Sequence, residues 1–336
     1  APLNVAILGY GFASKVFHAP LIASVPGLRL AAIVSRDPAK VAADWPEVPV
    51  VATPEAVFAD PSIDGVIIAS STDTHAELIL KAVAAGKSMF CEKPISLNFK
   101  LVTEVAEAVA KAKTPCMLGF QRRYDPNFRL VRERIQSGVT GRLEQLVMHT
   151  RDPSPPPVEY VKRSGGMFRD QAIHDFDMAR YLLGEEIRTV YAFGGCLIDP
   201  GIGQAGDIDT AMITLTSKSG RFVQMNNCRR APFGYDQRLE ALCAKEVLYV
   251  ENRPKDSVMI GSAQGFTSAP PMNYFIERFA DAYRAEMVAF VEMLKTGAEP
   301  LAGMADGLEA QRLAEAAIVS MQTGKVVELT AGWQPG

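Results

Sequence analysis

The sequence predicts an α/β protein in which an N-terminal Rossmann-type parallel sheet precedes a C-terminal α+β domain with a large, mostly antiparallel open sheet. The chain has 336 residues, 48% of them apolar, a length typical of about two domains. Its first third alternates short apolar runs with helical patterns, and longer strands follow from about residue 142. We place the domains at residues 1–118 and 119–336, with a C-terminal helix that can pack back on the first domain.

The first domain is predicted from five short apolar runs that are separated by amphipathic helices. Strands that are apolar on both faces and alternate with helices indicate a parallel sheet built from right-handed βαβ units. Ligands of such sheets bind beyond the carboxyl ends of the strands. The predicted strands cover residues 3–9, 28–34, 65–69, 88–91 and 115–118, and the helices include residues 74–85 and 100–112.

The second domain is predicted from longer strands that are joined by tight turns. An open sheet with one uncovered apolar face usually finds another subunit, so we expect a homodimer or a homotetramer. The predicted strands include residues 210–215, 221–227, 238–244 and 246–250, with a turn at 217–220 and late helices near 283–294 and 307–322.

Composition narrows the range of partners. The net charge is −3, from 35 basic and 38 acidic residues, and no half of the chain is markedly basic, so we expect no nucleic acid partner. No apolar run reaches membrane-spanning length, and the early first strand leaves no room for a signal peptide. The five cysteines are odd in number and lack a C-x-x-C pair, which favours reduced thiols over a metal or disulfide framework. We expect a cytoplasmic protein that binds a small molecule and no metal.

A glycine motif follows the first predicted strand. Gly9 and Gly11 stand where G-x-G-x-x-G lets the backbone approach a pyrophosphate at a helix N-terminus, with Phe12 and Ala13 in the same turn. Ser14 replaces the third glycine, so the match is incomplete. The alternative is an ordinary tight turn, but the position near residue 10 and the βαβ series that follows favour a dinucleotide.

Ser35 and Arg36 follow the second predicted strand, where NAD-binding proteins usually place an acid on the ribose 2′-hydroxyl. A hydroxyl and a guanidinium can bind a 2′-phosphate, so the pair favours NADP over NAD. Asp37 is a competing acid, but it precedes Pro38 and a helical run, as a helix N-cap does.

Asp170 and His174 lie four residues apart, and a Glu92-Lys93-Pro94 tripeptide precedes them. On a helix this spacing places the carboxylate and the imidazole on one face, one turn apart, which suits a proton relay. Lys93 can supply a cation. The alternatives are a surface helix pair or a capped core histidine for Asp170 and His174, and a solvated lysine for Lys93.

These residues together resemble the Gfo/Idh/MocA oxidoreductase family, which contains glucose-fructose oxidoreductases and inositol dehydrogenases. The resemblance covers nearly the whole chain, and in the second domain it is greatest to the inositol dehydrogenase branch. It departs at residues 11–22, which are similar to another branch, and at Ser35-Arg36, where an NAD-dependent inositol enzyme would carry an acid. The motifs are Gly9-x-Gly11, residues 71–75, 85–87, 92–94 and 119–125, the Asp170/His174 segment, and residues 151–154, 160–166, 174–180, 227–230 and 234–238.

The resemblance implies an NAD(P)-dependent dehydrogenase that oxidises a secondary hydroxyl of a cyclic polyol or sugar, with inositol the expected substrate, to a ketone. His174 would be the base, Asp170 its partner and a hydrogen-bonding group for the substrate, and Lys93 the cation that contacts the reacting hydroxyl. It also implies a cis Lys93-Pro94 bond. Further cofactor contacts are expected from Ser71, Thr72, His75, Glu92 and Lys93.

Further substrate contacts are expected from Arg122, Asp152, Lys162 and Tyr235, because a polyol needs several fixed donors and acceptors. An Arg122–Asp125 ion pair is an equal alternative, and Lys162 belongs either to a mobile lid or to a wet surface. His75 has a second interpretation, support of its own loop. His18 and His149 are interpreted as structural, because nothing nearby in the sequence gives them a partner.

Two alternative functions remain open. One is a sugar (glucose-type) dehydrogenase or a keto-sugar reductase of the same family. The other is a regulator that binds the dinucleotide only to sense it. Retention of Lys93, Asp170 and His174 favours catalysis, because a sensor does not need the three together.

Overall fold

The computed structural model describes residues 1–336, which divide into two compact units. The first unit contains Ala1–Tyr124 and Asp281–Glu309, and the second contains Asp125–Ala280 and Ala310–Gly336. The chain therefore leaves the first unit, returns to it and leaves it again. None of the helices combines the length and the apolar character that crossing a membrane requires.

Fifteen strands form three sheets. The first sheet has the order β3-β2-β1-β4-β5-β6 and is parallel throughout; the second has the order β12-β11-β7-β10-β9-β8-β15, and β13 and β14 form a hairpin. The strands are β1 (Leu3–Leu8), β2 (Leu28–Val34), β3 (Val50–Val51), β4 (Gly65–Ile68), β5 (Ser88–Cys91), β6 (Cys116–Leu118), β7 (Leu143–Arg151), β8 (Ile187–Gly195), β9 (Thr210–Ser217), β10 (Phe222–Cys228), β11 (Asp236–Cys243), β12 (Val247–Val250), β13 (Met259–Ser262), β14 (Gly265–Ser268) and β15 (Val327–Glu328).

Thirteen α-helices connect and cover the sheets, together with a π-helical segment at Ser14–His18 and a 3-10 helix at Gln121–Tyr124. The α-helices are α1 (Ala19–Ser24), α2 (Pro38–Asp44), α3 (Pro54–Ala59), α4 (Thr72–Ala84), α5 (Phe99–Ala112), α6 (Pro126–Gln136), α7 (Val158–Ser164), α8 (Gly166–Asp170), α9 (Ile173–Leu183), α10 (Pro200–Gln204), α11 (Phe275–Arg278), α12 (Ala280–Thr296) and α13 (Met304–Thr323).

The first unit has the predicted Rossmann-type architecture. Its central strands are apolar on both faces, and Ile7, Ile67 and Phe90 are completely buried. Helix α12 belongs to this unit, and its Met287 and Phe290 pack into the same core cluster as Ile7. A helix from late in the sequence therefore completes the core of the N-terminal sheet.

The sheet of the second unit is mostly antiparallel, as predicted, with one parallel pair, β7 beside β10. Side chains alternate across it between a buried and an open face. One open cross-strand row runs through Phe193, Met212, Asn226, His149 and Arg238. The neighbouring row is wholly buried and contains Ala192, Ile213, Met225, Met148, Leu239 and Val250.

Candidate active site

The glycine turn lies where the strand order of the first sheet reverses, between the ends of β1 and β4. Gly9 has a φ of +98°, and a Cβ there would lie 2.7 Å from Ser70 Cα, so only glycine fits. The Ser14 hydroxyl, buried in the π-helical segment, donates to the Gly9 carbonyl at 2.9 Å. Ser14 therefore stabilises the turn in place of a third glycine. This reversal point is where open α/β sheets bind dinucleotides, and the cradle at Gly9 fits that ligand.

The other residues predicted to bind the cofactor lie at the same edge of the sheet. They all follow carboxyl ends of parallel strands, which share one edge because the strands run in the same direction. The structure therefore brings these residues to one side of the first unit. Ser35 and Arg36 follow β2, Ser71, Thr72 and His75 begin the segment after β4, and Glu92 and Lys93 follow β5.

Asp37 is a helix cap. Its Oδ1 accepts from the Lys40 backbone N–H at 3.1 Å, and Pro38 takes the first position of α2, which confirms the capping interpretation. The Ser35 hydroxyl oxygen accepts from the Asp37 N–H at 3.1 Å. Arg36 is exposed, and the Lys40 ammonium donates to the Tyr10 carbonyl at 3.3 Å. Two cations, Arg36 and Lys40, thus stand near the end of β2 while the nearby acid caps a helix.

The Glu92-Lys93-Pro94 tripeptide is held by two histidines. His18 Nε2 lies 2.7 Å from Glu92 Oε1, and His75 Nδ1 lies 2.8 Å from the Pro94 carbonyl oxygen. The expectation that His18 lacks a partner was wrong, because the fold brings together residues that are 74 positions apart. The Lys93-Pro94 bond is cis, as predicted.

A second acid lies beside this tripeptide. Glu286, on α12, is completely buried, and burial together with the negative charge of Glu92 raises the pKa of its carboxyl well above the ordinary range. Folding therefore favours the protonated form of Glu286, and the carboxylate that faces His18 is that of Glu92. An ionised carboxylate only accepts hydrogen bonds, so His18 Nε2 is the donor.

His149 also has a partner, contrary to expectation. It lies on the open face of the second sheet, with its Nδ1 3.3 Å from Arg151 Nη2. Partial burial, together with the positive charges of Arg238 and Arg151, lowers the pKa of His149. His149 and Arg151 lie two positions apart on β7, so their side chains share a face of the sheet. The interpretation of His149 overlooked this relation.

The second unit contains a buried ion cluster around Arg229, which is 4% exposed. Its guanidinium donates to Asp152 Oδ2 at 3.2 Å and to Asp170 Oδ2 at 3.0 Å. The Tyr160 hydroxyl donates to Asp170 Oδ1 at 2.8 Å, and the Gln171 amide donates to Asp152 Oδ2 at 2.8 Å. Two predicted site carboxylates are thus brought together by an arginine.

The cluster pairs two carboxyl groups with one guanidinium. Burial opposes ionisation of Arg229, but the charges of Asp170 and Asp152 outweigh it and raise the pKa of its guanidinium. Burial raises the pKa of Asp152, and Arg229 counters that shift. Burial and the charge of Asp152 raise the pKa of Tyr274 to about 12, so Tyr274 keeps its proton. The site therefore offers carboxylate acceptors beside a phenol donor.

Asp170 and His174 do not share one helix, which corrects the expectation from their spacing. Asp170 ends α8, and His174 is the second residue of α9. At the break, the Ala172 N–H bonds to the Met167 carbonyl at 3.0 Å, one residue beyond the α-helical partner. Gln171 explains the interruption, because its side chain bonds to Asp152 and to the Cys228 carbonyl.

The remaining predicted substrate residues are divided between the two units. Arg122 is buried in the 3-10 helix of the first unit, and Asp125 pairs with Arg278 at 2.6 Å in the second. Tyr235 is buried, with its ring centroid 5.4 Å from that of Tyr274. Lys162 is exposed on α7 and pairs with Glu159 at 2.6 Å.

Arg229 and Tyr160 were not predicted as site residues. Arg229 follows β10 and Asp152 follows β7, and these two strands are the parallel pair, so their carboxyl ends meet. That signal was lost because the sequence pattern indicated antiparallel pairing throughout this region. The remaining signal in the sequence was an arginine directly after a strand. Its burial is known only from the structure.

A parallel sheet with a glycine turn at its reversal point, joined to an open-sheet unit with a buried polar cluster, defines the class of dinucleotide-dependent oxidoreductases. Residues 3–120 match the Gfo/Idh/MocA oxidoreductase family in its NAD-binding Rossmann fold, and residues 132–329 match its C-terminal alpha/beta domain. The chain belongs to this family and is an oxidoreductase that acts on CH–OH donors.

Three relatives illustrate the similarity. The inositol 2-dehydrogenase of Rhizobium meliloti is 41% identical over 328 residues, 97% of this chain and 99% of that protein. The structure of a myo-inositol dehydrogenase from Corynebacterium glutamicum matches with a TM-score of 0.92 at 37% identity, covering 98% and 99% of the two chains. A scyllo-inositol dehydrogenase from Lactobacillus casei, solved with NAD(H) and scyllo-inositol, matches with a TM-score of 0.90 at 27% identity, covering 98% and 99%.

The raised pKa of Glu286 predicts a pH dependence of stability. Folding favours the protonated form, so its contribution is fully present below the ordinary carboxyl pKa and declines as pH rises towards the folded pKa. Glu286→Gln replaces the protonated carboxyl with a neutral isostere. Between pH 5 and pH 8, wild type should lose more resistance to urea than the variant does, as measured by unfolding midpoints. Parallel midpoints for the two proteins across this range would contradict the assignment.

Proposed function

We propose that the protein is an NAD(P)-dependent dehydrogenase that oxidises one secondary hydroxyl of a cyclic polyol, inositol, to a ketone. The observation that carries this proposal is the buried Asp152–Arg229–Asp170 cluster, with Tyr160 bonded to Asp170. A ring that bears several hydroxyls can donate to the carboxylates and accept from the phenols. Relatives that are named inositol dehydrogenases support the same substrate class.

The charge of the cluster favours a neutral substrate. The cluster contains two carboxyl groups, and a substrate carboxylate or phosphate bound against them in a buried environment would be repelled. A neutral polyol meets no such repulsion. We therefore expect discrimination against sugar acids and phosphorylated polyols.

In the proposed reaction, three side chains act on one hydroxyl. His174 takes the proton from the hydroxyl, and Asp170 supports His174 and accepts a hydrogen bond from the substrate. Lys93 contacts the reacting oxygen and stabilises its developing negative charge. Arg229 and Tyr160 hold the Asp170 carboxylate in one orientation. Arg122, Asp152 and Tyr235 would contact the other hydroxyls of the ring.

The bound dinucleotide would supply the hydride acceptor. Gly9 and Gly11, with Phe12 and Ala13, would hold its pyrophosphate at the turn after β1. Ser71, Thr72, His75 and Glu92 follow β4 and β5 at the same edge, where we expect further contacts.

For the adenosine half we propose a preference for NADP. The support is that Arg36 is exposed after β2, where its guanidinium can meet a 2′-phosphate, and that the nearby acid, Asp37, is engaged as a helix cap. Lys40 adds a second cation nearby. The Lactobacillus casei relative was solved with NAD(H). The proposed preference for NADP is therefore tested separately from the proposed oxidation of a polyol.

A sugar dehydrogenase or a keto-sugar reductase is the alternative within the family. The same cluster of acceptors and donors can bind a pyranose ring, and turnover with a panel of inositols and sugars, followed by absorbance at 340 nm, separates the two. A regulator that only senses the dinucleotide would bind it without turnover.

Lys93→Met tests the catalytic assignment. Because it removes the ammonium that stabilises the reacting oxygen, kcat should fall by about 100- to 1,000-fold, a much larger effect than any change in the Kd for the dinucleotide. Lys111→Met, at an exposed lysine on α5 of the same unit, is the matched control and should leave both unchanged. Turnover at the wild-type rate would remove Lys93 from the mechanism.

Arg36→Ala tests the cofactor preference. A charge-assisted bond to the 2′-phosphate is worth about 1.5–3 kcal/mol, so the ratio of kcat/KM for NADP to that for NAD should fall by about tenfold or more. Arg29→Ala, at an exposed arginine near the amino end of β2, is the control. An unchanged ratio in Arg36→Ala would exclude a contact with the phosphate.

We also propose that a second copy of the chain covers the open face of the β8–β9 region, giving a dimer or a tetramer in the cytoplasm. Large apolar side chains stand exposed there, among them Phe193 at 62% and Met212 at 42%, which are cross-strand neighbours. Apolar surface of this kind on a sheet usually marks a subunit contact.

Phe193→Glu combined with Met212→Glu tests this assembly by placing charge on the proposed contact. Light scattering should show an oligomer for wild type and a monomer for the double variant. Leu130→Glu, at an exposed leucine on α6, should keep the wild-type mass. A monomeric wild type, or an oligomer that survives the double change, would exclude this face.

A further inference from the structure

We propose that His18 and His75 are positioning residues that fix Lys93 from both sides, one through the residue before it and one through the residue after it. The inference rests on the proposed role of Lys93. It concerns how the chain holds that ammonium in place, since Lys93 lies between Glu92 and Pro94 and each of these contacts a buried imidazole.

His18 anchors the residue before Lys93. It ends the π-helical segment and is 1% exposed, with its ring against Phe17 at 4.6 Å and Phe90 at 5.2 Å between centroids. From this position Nε2 donates to Glu92 Oε1 at 2.7 Å. Short π-helical segments within helices are frequent at functional sites.

Glu92 is confined on its other side by Gly119. A Cβ at position 119 would lie 2.9 Å from Glu92 Oε2, so the carboxylate occupies the space that a larger residue would fill. One carboxylate oxygen is thus bonded to His18 and the other packs against the backbone after β6. Both carboxylate oxygens of Glu92 therefore face neighbouring residues of the protein.

His75 anchors the residue after Lys93. It is 2% exposed near the start of α4, with Nδ1 2.8 Å from the Pro94 carbonyl oxygen and Nε2 3.0 Å from the Ser70 carbonyl oxygen. Both partners are carbonyl oxygens, which only accept hydrogen bonds, so the ring donates to at least one of them, and the tautomer decides which. The ring connects the end of β4, at the glycine turn, to the segment that carries Lys93.

Packing alone does not explain a histidine at position 18. Its Nδ1 is buried without a hydrogen-bond partner, and an unsatisfied buried polar atom lowers the stability of the fold. An apolar side chain between Phe17 and Phe90 would not have this cost. Departures of this kind from the rule that buried polar groups are satisfied are expected at functional sites. The bond to Glu92 is the compensating contact.

A reciprocal exchange of Asn and Gln tests the proposal, because the side-chain amide of Asn superposes on Nδ1 of histidine and that of Gln on Nε2. His18→Gln keeps the donor to Glu92, whereas His18→Asn does not reach it. His75→Asn keeps the donor to Pro94, whereas His75→Gln points towards Ser70. Each site thus receives both amides, so burial and polarity are matched and only the anchor differs.

We expect kcat to fall by about 10- to 100-fold in His18→Asn and His75→Gln, because small misplacements of a reacting group have effects of this size. His18→Gln should stay within a few-fold of wild type, and at position 75 the loss of kcat in His75→Gln should exceed that in His75→Asn. With deuterium on the carbon that is oxidised, the isotope effect on kcat should grow only in the two variants that lose the anchor. Thermal unfolding should not separate the two amides at either site.

Labelling of Lys93 by trinitrobenzenesulfonate, followed by peptide mass spectrometry on the dinucleotide-free proteins, reports on the anchor without turnover. The labelling rate should rise several-fold in His18→Asn and His75→Gln and stay at the wild-type value in the other two. Equal rates in all four variants would overturn the proposal, as would kcat losses that follow thermal stability with an unchanged isotope effect. A wild type that turns over no polyol but shows this labelling pattern would refute the catalytic role and leave the anchor in place.

Discussion

The second unit depends on one buried charge, the guanidinium of Arg229. Asp152 and Asp170 are both largely removed from water, and Arg229 counters the rise that burial causes in the pKa of Asp152. By bonding to both, Arg229 connects the ends of β7, α8 and β10. A second layer supports it: the Asn227 amide and the Thr150 hydroxyl donate to Asp175 at 2.7 Å each. The polar groups of the site therefore stand on a buried network rather than on mobile loops.

The first unit presents the backbone of the glycine turn and the Lys93 side chain at one edge of its sheet. Its parallel strands make the carboxyl ends coincide, and glycine at position 9 lets the chain turn against Ser70. Ordered polar side chains then hold the segments after β4 and β5. Catalytic groups on loops gain precision when the loop is anchored by buried hydrogen bonds, and the contacts of Glu92 and Pro94 provide such anchors.

Much of this organisation follows from local sequence patterns. Five of the six strands of the first sheet, the glycine turn, the helix cap at Asp37 and the open second sheet were predicted, because hydrophobic period and turn chemistry are local properties. The two-residue strand β3 was not predicted. The contacts between distant segments were not. Arg229 escaped because its significance depends on β7 and β10 running parallel, and the His18–Glu92 pair spans 74 residues. At the break between Asp170 and His174, the Gln171 side chain bonds to Asp152 and to the Cys228 carbonyl. The spacing of Asp170 and His174 does not reveal these distant partners.

Helix α12 gives the biosynthesis of this protein a particular order. Met287 and Phe290 belong to the same cluster as Ile7 and Ile67, so the apolar interior of the N-terminal sheet stays incomplete until nearly 300 residues have left the ribosome. Although domains often fold in the order of their synthesis, neither unit can do so here, because the second unit also needs Ala310–Gly336 to be complete. A fragment that ends at Tyr124 would lack Met287 and Phe290 and would expose the apolar side chains that they cover. Chaperones bind exposed apolar surface of this kind.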